Sequence, residues 1–132
     1  MGGGIMERKP SEIIQDFLNL IDSSHAEFND SKSKVDDFNS KTYVWTHQLE
    51  DCKNKQERNK LATSWQKELK ERRKEKDRKN LWEKIHSFGA DVSNKAFLKK
   101  LRYLVQEQQK IEEYLATPYE EREFKNGGKL NG

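Results

Sequence analysis

The chain has a single cysteine, Cys52, among 132 residues. No intrachain disulfide can form, which fits a reducing, cytosolic setting. No run of about 18 apolar residues occurs, so a membrane-spanning helix is not expected. A signal-peptide pattern is also absent, and the opening MGGGIM has Met6 where a myristoylation motif needs Ser or Thr. Neither glycine nor proline falls between Lys41 and Phe88, so nothing there forces a helix to end. Strand-like alternation never persists beyond a few residues. Apolar residues are scarce as well. Leu, Ile, Val and Phe number 27 of 132, about 20%, the level at which chains stop burying enough surface to fold. Long helices with narrow apolar stripes often meet this shortage by assembling, so a homo-oligomer is expected.

Charged residues make up 37% of the chain, yet the net charge is only +3. The small balance hides a strong asymmetry. Residues 1–40 carry 4 basic and 8 acidic side chains, residues 41–88 carry 14 and 8, and residues 89–132 carry 8 and 7. An acidic beginning and a basic middle can pair with each other, within one chain or across a dimer.

The periodicity predicts an all-α bundle or hairpin of four to five helices, one of them long and basic. Residues 1–9 read as a disordered start, 10–125 as one helical domain and 126–132 as a flexible tail. Helix one starts near Pro10–Ser11 with the stripe Ile13, Ile14, Phe17, Leu18, Ile21, His25 and Phe28. The Ser/Asp/Asn-rich stretch 29–41 reads as a loop or frayed helix. A second helix starts near Ser40–Thr42 with Val44, Trp45, Leu49 and Cys52, and 51–56 is either a turn or continuous helix. The long helix covers about 56–88, with its apolar stripe moving to Leu81, Ile85 and Phe88 near Lys79–Asn80. Gly89 then reads as a left-handed stop, with Asp91 or Ser93 capping the next helix. That helix, 94–116, carries Phe97, Leu101, Leu104, Gln108, Ile111 and Leu115 at heptad spacing, widened by Leu98 and Val105. Thr117-Pro118-Tyr119-Glu120 has the pattern of a capping box, opening a fifth helix through about Lys125.

No catalytic arrangement is present. Cys52 and His47 stand five apart and do not share a helix face. His47 and Glu50 do, but the carboxylates and second histidine of a di-metal bundle are missing, and zinc spacing is absent. No Gly-rich loop precedes a helix to cradle phosphate. No catalytic residue, metal or cofactor is therefore assigned. The notable segment is Lys70–Asn80, KERRKEKDRKN, with seven basic and three acidic residues. At 100° per residue Arg72, Lys76 and Lys79 continue the face of Leu61, Trp65 and Leu69. Cations on a buried face need carboxylates or an anionic ligand. Trp65 and Trp82 flank the run, and aromatic rings beside Arg and Lys can stack bases while the cations neutralise phosphates. Arg72, Arg73, Lys76, Lys79, Trp65 and Trp82, joined by Arg102 and Tyr103, form the candidate ligand-binding set. A solvated, ion-paired face is the plainer account of the same run.

Three further segments, HQLE at 47–50, LKERRKEKDRKNLWEKIHSF at 69–88 and KLRYLVQEQQKIEEYLATPYEER at 100–122, resemble small helical proteins of phages and prophages of Gram-positive bacteria. The resemblance implies a phage accessory role in the host cytosol, immune evasion included, and carries no activity or functional residue with it. Three functions follow as expectations. The first is a non-enzymatic protein that captures an anionic, nucleotide-like ligand such as an immune signal. The second is a DNA- or RNA-binding protein using the basic helix. The third is a structural or regulatory module assembled through the 94–116 helix, with itself or a host protein, in which the basic face pairs with Asp16, Asp22 and Glu27.

Overall fold

The computed structural model describes residues 7–122. Three α-helices account for almost all of them: α1 (Pro10–Glu50), α2 (Lys55–Ala90) and α3 (Val92–Ala116), followed by a short 3-10 turn, Tyr119–Glu121. No strand occurs among the described residues, and no helix among them is long and apolar enough to cross a membrane. The expectation of an all-α chain holds, while the count of four to five helices falls to three. Two compact units divide the chain, one of residues 21–91 and one made of the segments before 21 and after 91.

The missing helix boundary is the stretch 29–41, expected as a loop or frayed helix, which is the middle of α1. Serine favours such segments because its hydroxyl can bond nearby backbone outside helical geometry. Instead the hydroxyls of Ser24, Ser31 and Ser40 donate to the carbonyls of Ile21, Phe28 and Asp37 within the helix, so each polar group is satisfied without leaving helical backbone. Ion pairs Asp30–Lys34 and Lys32–Asp36, at i, i+4, brace its exposed flanks. The inner face runs Ile21, Ser24, Phe28, Ser31, Val35, Phe38 and Trp45, all buried or half-buried. This is a 3-4-3-4-3 heptad pattern with serine at two core places, and Ser24 and Ser31 are wholly buried.

A real turn follows α1. Asn54 Oδ1 accepts the amide of Glu57, whose own carboxylate accepts the amide of Lys53, so α2 begins with its first orphan donors satisfied. From there α2 is one helix through Ala90. Its inward positions are Leu61, Trp65, Glu68, Arg72, Glu75, Lys79, Trp82, His86 and Gly89, an unbroken 4-3 alternation. The stripe therefore does not move at Lys79–Asn80: Leu81 is 70% and Phe88 40% exposed, and Trp82 and His86 continue the face that Leu61 starts. Within the 21–91 unit α1 and α2 run antiparallel. Ile21 lies against Gly89, His25 against His86, Asn39 against Arg72 and Trp45 against Trp65.

Gly89 corrects a second expectation. It lies inside α2, and the helix ends at Asp91, whose extended backbone donates to the Ser87 carbonyl. Its role is close approach: a methyl group there would sit 2.7 Å from Ile21 Cγ2 and 3.2 Å from His25 Nε2. The capping box at Thr117 also fails. The Thr117 hydroxyl donates back to the Glu113 carbonyl, and no side chain caps the 3-10 turn. Arg122 closes this end by donating to the carbonyls of Thr117 and Leu115. The expected fifth helix thus contracts to Tyr119–Glu121 as far as Arg122, and its extension to Lys125 and the tail lie outside the described residues.

In the other unit, Leu18 of α1 and Leu98 and Val105 of α3 are buried. Ser11, in the first turn of α1, donates from its amide and its hydroxyl to the Glu112 carboxylate at 2.9 and 2.5 Å. Burial pushes that carboxyl up, but the two Ser11 bonds, with Lys9 and Gln108 nearby, outweigh it and hold it below its ordinary range.

Candidate functional site

The α1–α2 hairpin pairs opposite charges. α1 carries 8 carboxylates against 3 lysines, and α2 carries 12 cations against 6 carboxylates. The centre of this pairing is Arg78, which sequence reasoning did not single out. Its guanidinium binds Glu27 at 2.7 Å, Asp30 at 2.8 Å and Glu75 at 3.0 Å, and is only 28% exposed. The hydrogen bonds it donates to these carboxylates, Asp30 foremost, raise the guanidinium's affinity for its proton, and Arg78 in turn lowers the Asp30 pKa. Glu27, one of the acidic partners expected for the basic face, takes that part. Asp16 instead pairs with Arg8.

The eight candidate ligand residues do not converge. Arg72 is half-buried, its Nε donating to Asn39 Oδ1 at 2.8 Å. Arg73 and Lys76 are exposed, and Lys79 is half-buried; none of the three forms an ion pair among the described residues. Trp65 is half-buried and already stacked on Trp45, centroids 6.2 Å apart with planes at 4°. The Trp45 indole N–H is taken by Glu68, which also meets Lys41 at 3.6 Å. Trp82 is half-buried 17 residues further along α2, about 26 Å of helix, too far for the two indoles to share one base. Arg102 and Tyr103 are exposed on α3, in the other unit. An open groove of about 530 Å³ lies at the tip of the hairpin, lined by Trp45, Cys52, Leu61 and their neighbours. None of the candidate cations lines it. Cys52 there is half-buried and donates its thiol to the Gln48 carbonyl.

Near the other end of the hairpin two histidines meet. His25 and His86, isolated in sequence, bring their Nδ1 atoms to 2.8 Å with rings edge-to-face. At that distance one Nδ1 carries a proton and the other accepts it. Phe28 stacks on His86 at 4.4 Å. Burial, then the neighbouring His25, lowers the His86 pKa from its ordinary value. Only the antiparallel register makes this pair, so neither sequence position hinted at it. No group of three or more metal-ligating side chains exists among the described residues; His47 and Glu50 approach to 4.0 Å without a third ligand.

The most unusual surface is on α3. The heptad residues Phe97, Leu104, Ile111 and Leu115 are 50%, 42%, 49% and 56% exposed. Burial falls instead on Asn94, Leu98, Leu101, Val105, Gln108 and Glu112, a face about 90° round the helix at 100° per residue. α3 therefore has two stripes sharing Leu101 and Gln108, one engaged within the chain and one open. No protein-family model, curated protein or solved structure matches this chain.

Proposed function

We propose that this protein is a non-enzymatic interaction module whose contact surface is the outer face of α3. The observation that carries the reading is the open stripe of Phe97, Leu104, Ile111 and Leu115. Single exposed apolar residues are ordinary, but four aligned on one helix face form a patch that favours a protein partner. The chemistry is binding alone. The test is Leu104→Asp, which places a charge in the middle of the stripe. Helical circular dichroism should persist, while binding of a dye for exposed apolar surface, or the association that hides that surface, should be lost. A variant equal to wild type in both respects would overturn the reading.

A second reading has its own support. Arg73, Lys76 and Lys79 lack ion pairs among the described residues, and with Arg72 beside them they suit a negatively charged, nucleotide-like ligand. Capture of a host immune signal is its concrete form, with DNA or RNA binding as the variant that depends steeply on salt. Titration of wild type and Arg73→Ala/Lys76→Ala with mononucleotides and a single-stranded oligonucleotide tests it; equal binding by both proteins, or none, removes it.

A further inference from the structure

Building on that reading of the α3 face, we infer that its occupant is a second copy of this chain, docked antiparallel so that Lys100 of each copy meets Glu107 of the other. Three observations lead there. The first is the shape of the face. Phe97, Leu104, Ile111 and Leu115, with Leu101 and Gln108 between them, follow a 4-3-4-3-4 spacing over 19 residues, about 27 Å of straight helix from first to last. That is the seam of a two-helix coiled coil and is presented by one helix alone.

The second is charge. Lys100 and Glu107 are exposed and lie along the edge of the stripe away from Leu98 and Val105, one heptad apart. In a parallel pair each edge position meets the opposite edge of its neighbour five residues on. Lys100 would then face Val105, which is 3% exposed, and Glu107 would face Glu112, a like charge already held by Ser11. Turned antiparallel, the same edges face each other. With Leu101 opposite Leu104 of the second copy, Lys100 falls opposite Glu107, twice by symmetry. Sliding by one heptad sets Glu107 against Glu107. Charge therefore selects both direction and register, as flanking residues do in coiled coils.

The third is symmetry. Pairing like with like about a two-fold axis closes the assembly at a dimer. In this register Phe97, Leu101, Leu104 and Gln108 of each copy form the paired layers and Ile111 falls opposite Asn94, so the buried area stays below the figure of about 1,200 Å² for a stable interface and the dimer is a weak one.

The experiment is sedimentation equilibrium of the full chain with Lys100→Glu, Glu107→Lys and the double swap, beside Leu104→Asp. Wild type should be a dimer. Each single swap turns two attractions into two repulsions and should weaken association about tenfold, and the double swap should restore it. Single swaps without effect, or a double swap that fails to recover, would overturn the antiparallel dimer. If Leu104→Asp still dissociates that dimer, the contact face itself survives. A monomeric wild type that binds an apolar-surface dye, with Leu104→Asp losing it, rejects the second copy as occupant and keeps the face. A monomer without dye binding rejects both.

Discussion

Gly89→Ala adds one methyl group where α2 meets α1. On an isolated helix the change would be favourable by about 1 kcal/mol, because glycine is the poorer helix former. Here the new Cβ falls 2.7 Å from Ile21 Cγ2, with the His25 ring at 3.2 and 3.3 Å beside it. Neither neighbour yields easily. Ile21 is 3% exposed and β-branched, with one strongly preferred rotamer in a helix, and His25 is held by His86. Overpacking of this kind costs about 1–3 kcal/mol, so the net expectation is a loss of up to about 2 kcal/mol after the propensity gain. For a chain of this size that lowers Tm by about 4 °C per kcal/mol. Urea unfolding followed by circular dichroism at pH 7.5 reads the effect. In an Ile21→Ala background the main obstruction is gone, and the same substitution should become neutral or stabilising. A Gly89→Ala protein about 1 kcal/mol more stable than wild type, with no change of sign in the second background, would refute the close approach.

Other consequences follow from the same geometry. The lowered pKa of His86 means that the folded state favours the neutral ring. Stability should hold above the unfolded value of about 6.5 and fall as pH drops through that value towards the folded pKa; urea unfolding between pH 7.5 and 5.5 checks this, and His86→Phe should flatten the slope. Arg78→Met strands Glu27, Asp30 and Glu75 and should lower Tm more than replacing Arg73 with Met, since the Arg73 guanidinium meets no carboxylate among the described residues; equal effects would deny Arg78 its central place. Ser11→Ala removes the hydroxyl from Glu112, so the Glu112 pKa should rise towards the ordinary carboxylate value, as followed by NMR titration, with some loss of thermal stability.

Much of this architecture could be read from periodicity. The start at Pro10, the end of the long helix near residue 90 and the extent of α3 agree with the spacing of apolar residues and helix-ending signals, while the turn after Glu50 was one of two alternatives the sequence left open. The middle of α1 was hidden because Ser24 and Ser31 occupy core positions usually held by larger side chains, and their hydroxyls bond within the helix. The true face of α2 was hidden because Glu68, Arg72, Glu75 and Lys79 occupy inward positions that an apolar search skips, so Leu81 and Phe88 looked like the continuation. Arg78 and the His25–His86 pair depend on the antiparallel register, which no local pattern encodes. On α3 the heptad was correctly legible, but two overlapping stripes compete for the chain's own core. Leu98 and Val105 take it, and the better heptad faces outward.

Sedimentation equilibrium of the full chain in near-physiological salt, from micromolar to a few hundred micromolar, addresses the α3 face most directly. A concentration-dependent approach to twice the 15.7 kDa chain mass is expected, abolished by Leu104→Asp while the helical signal persists. A mass of 15.7 kDa across the whole range, identical for wild type and variant, would contradict it.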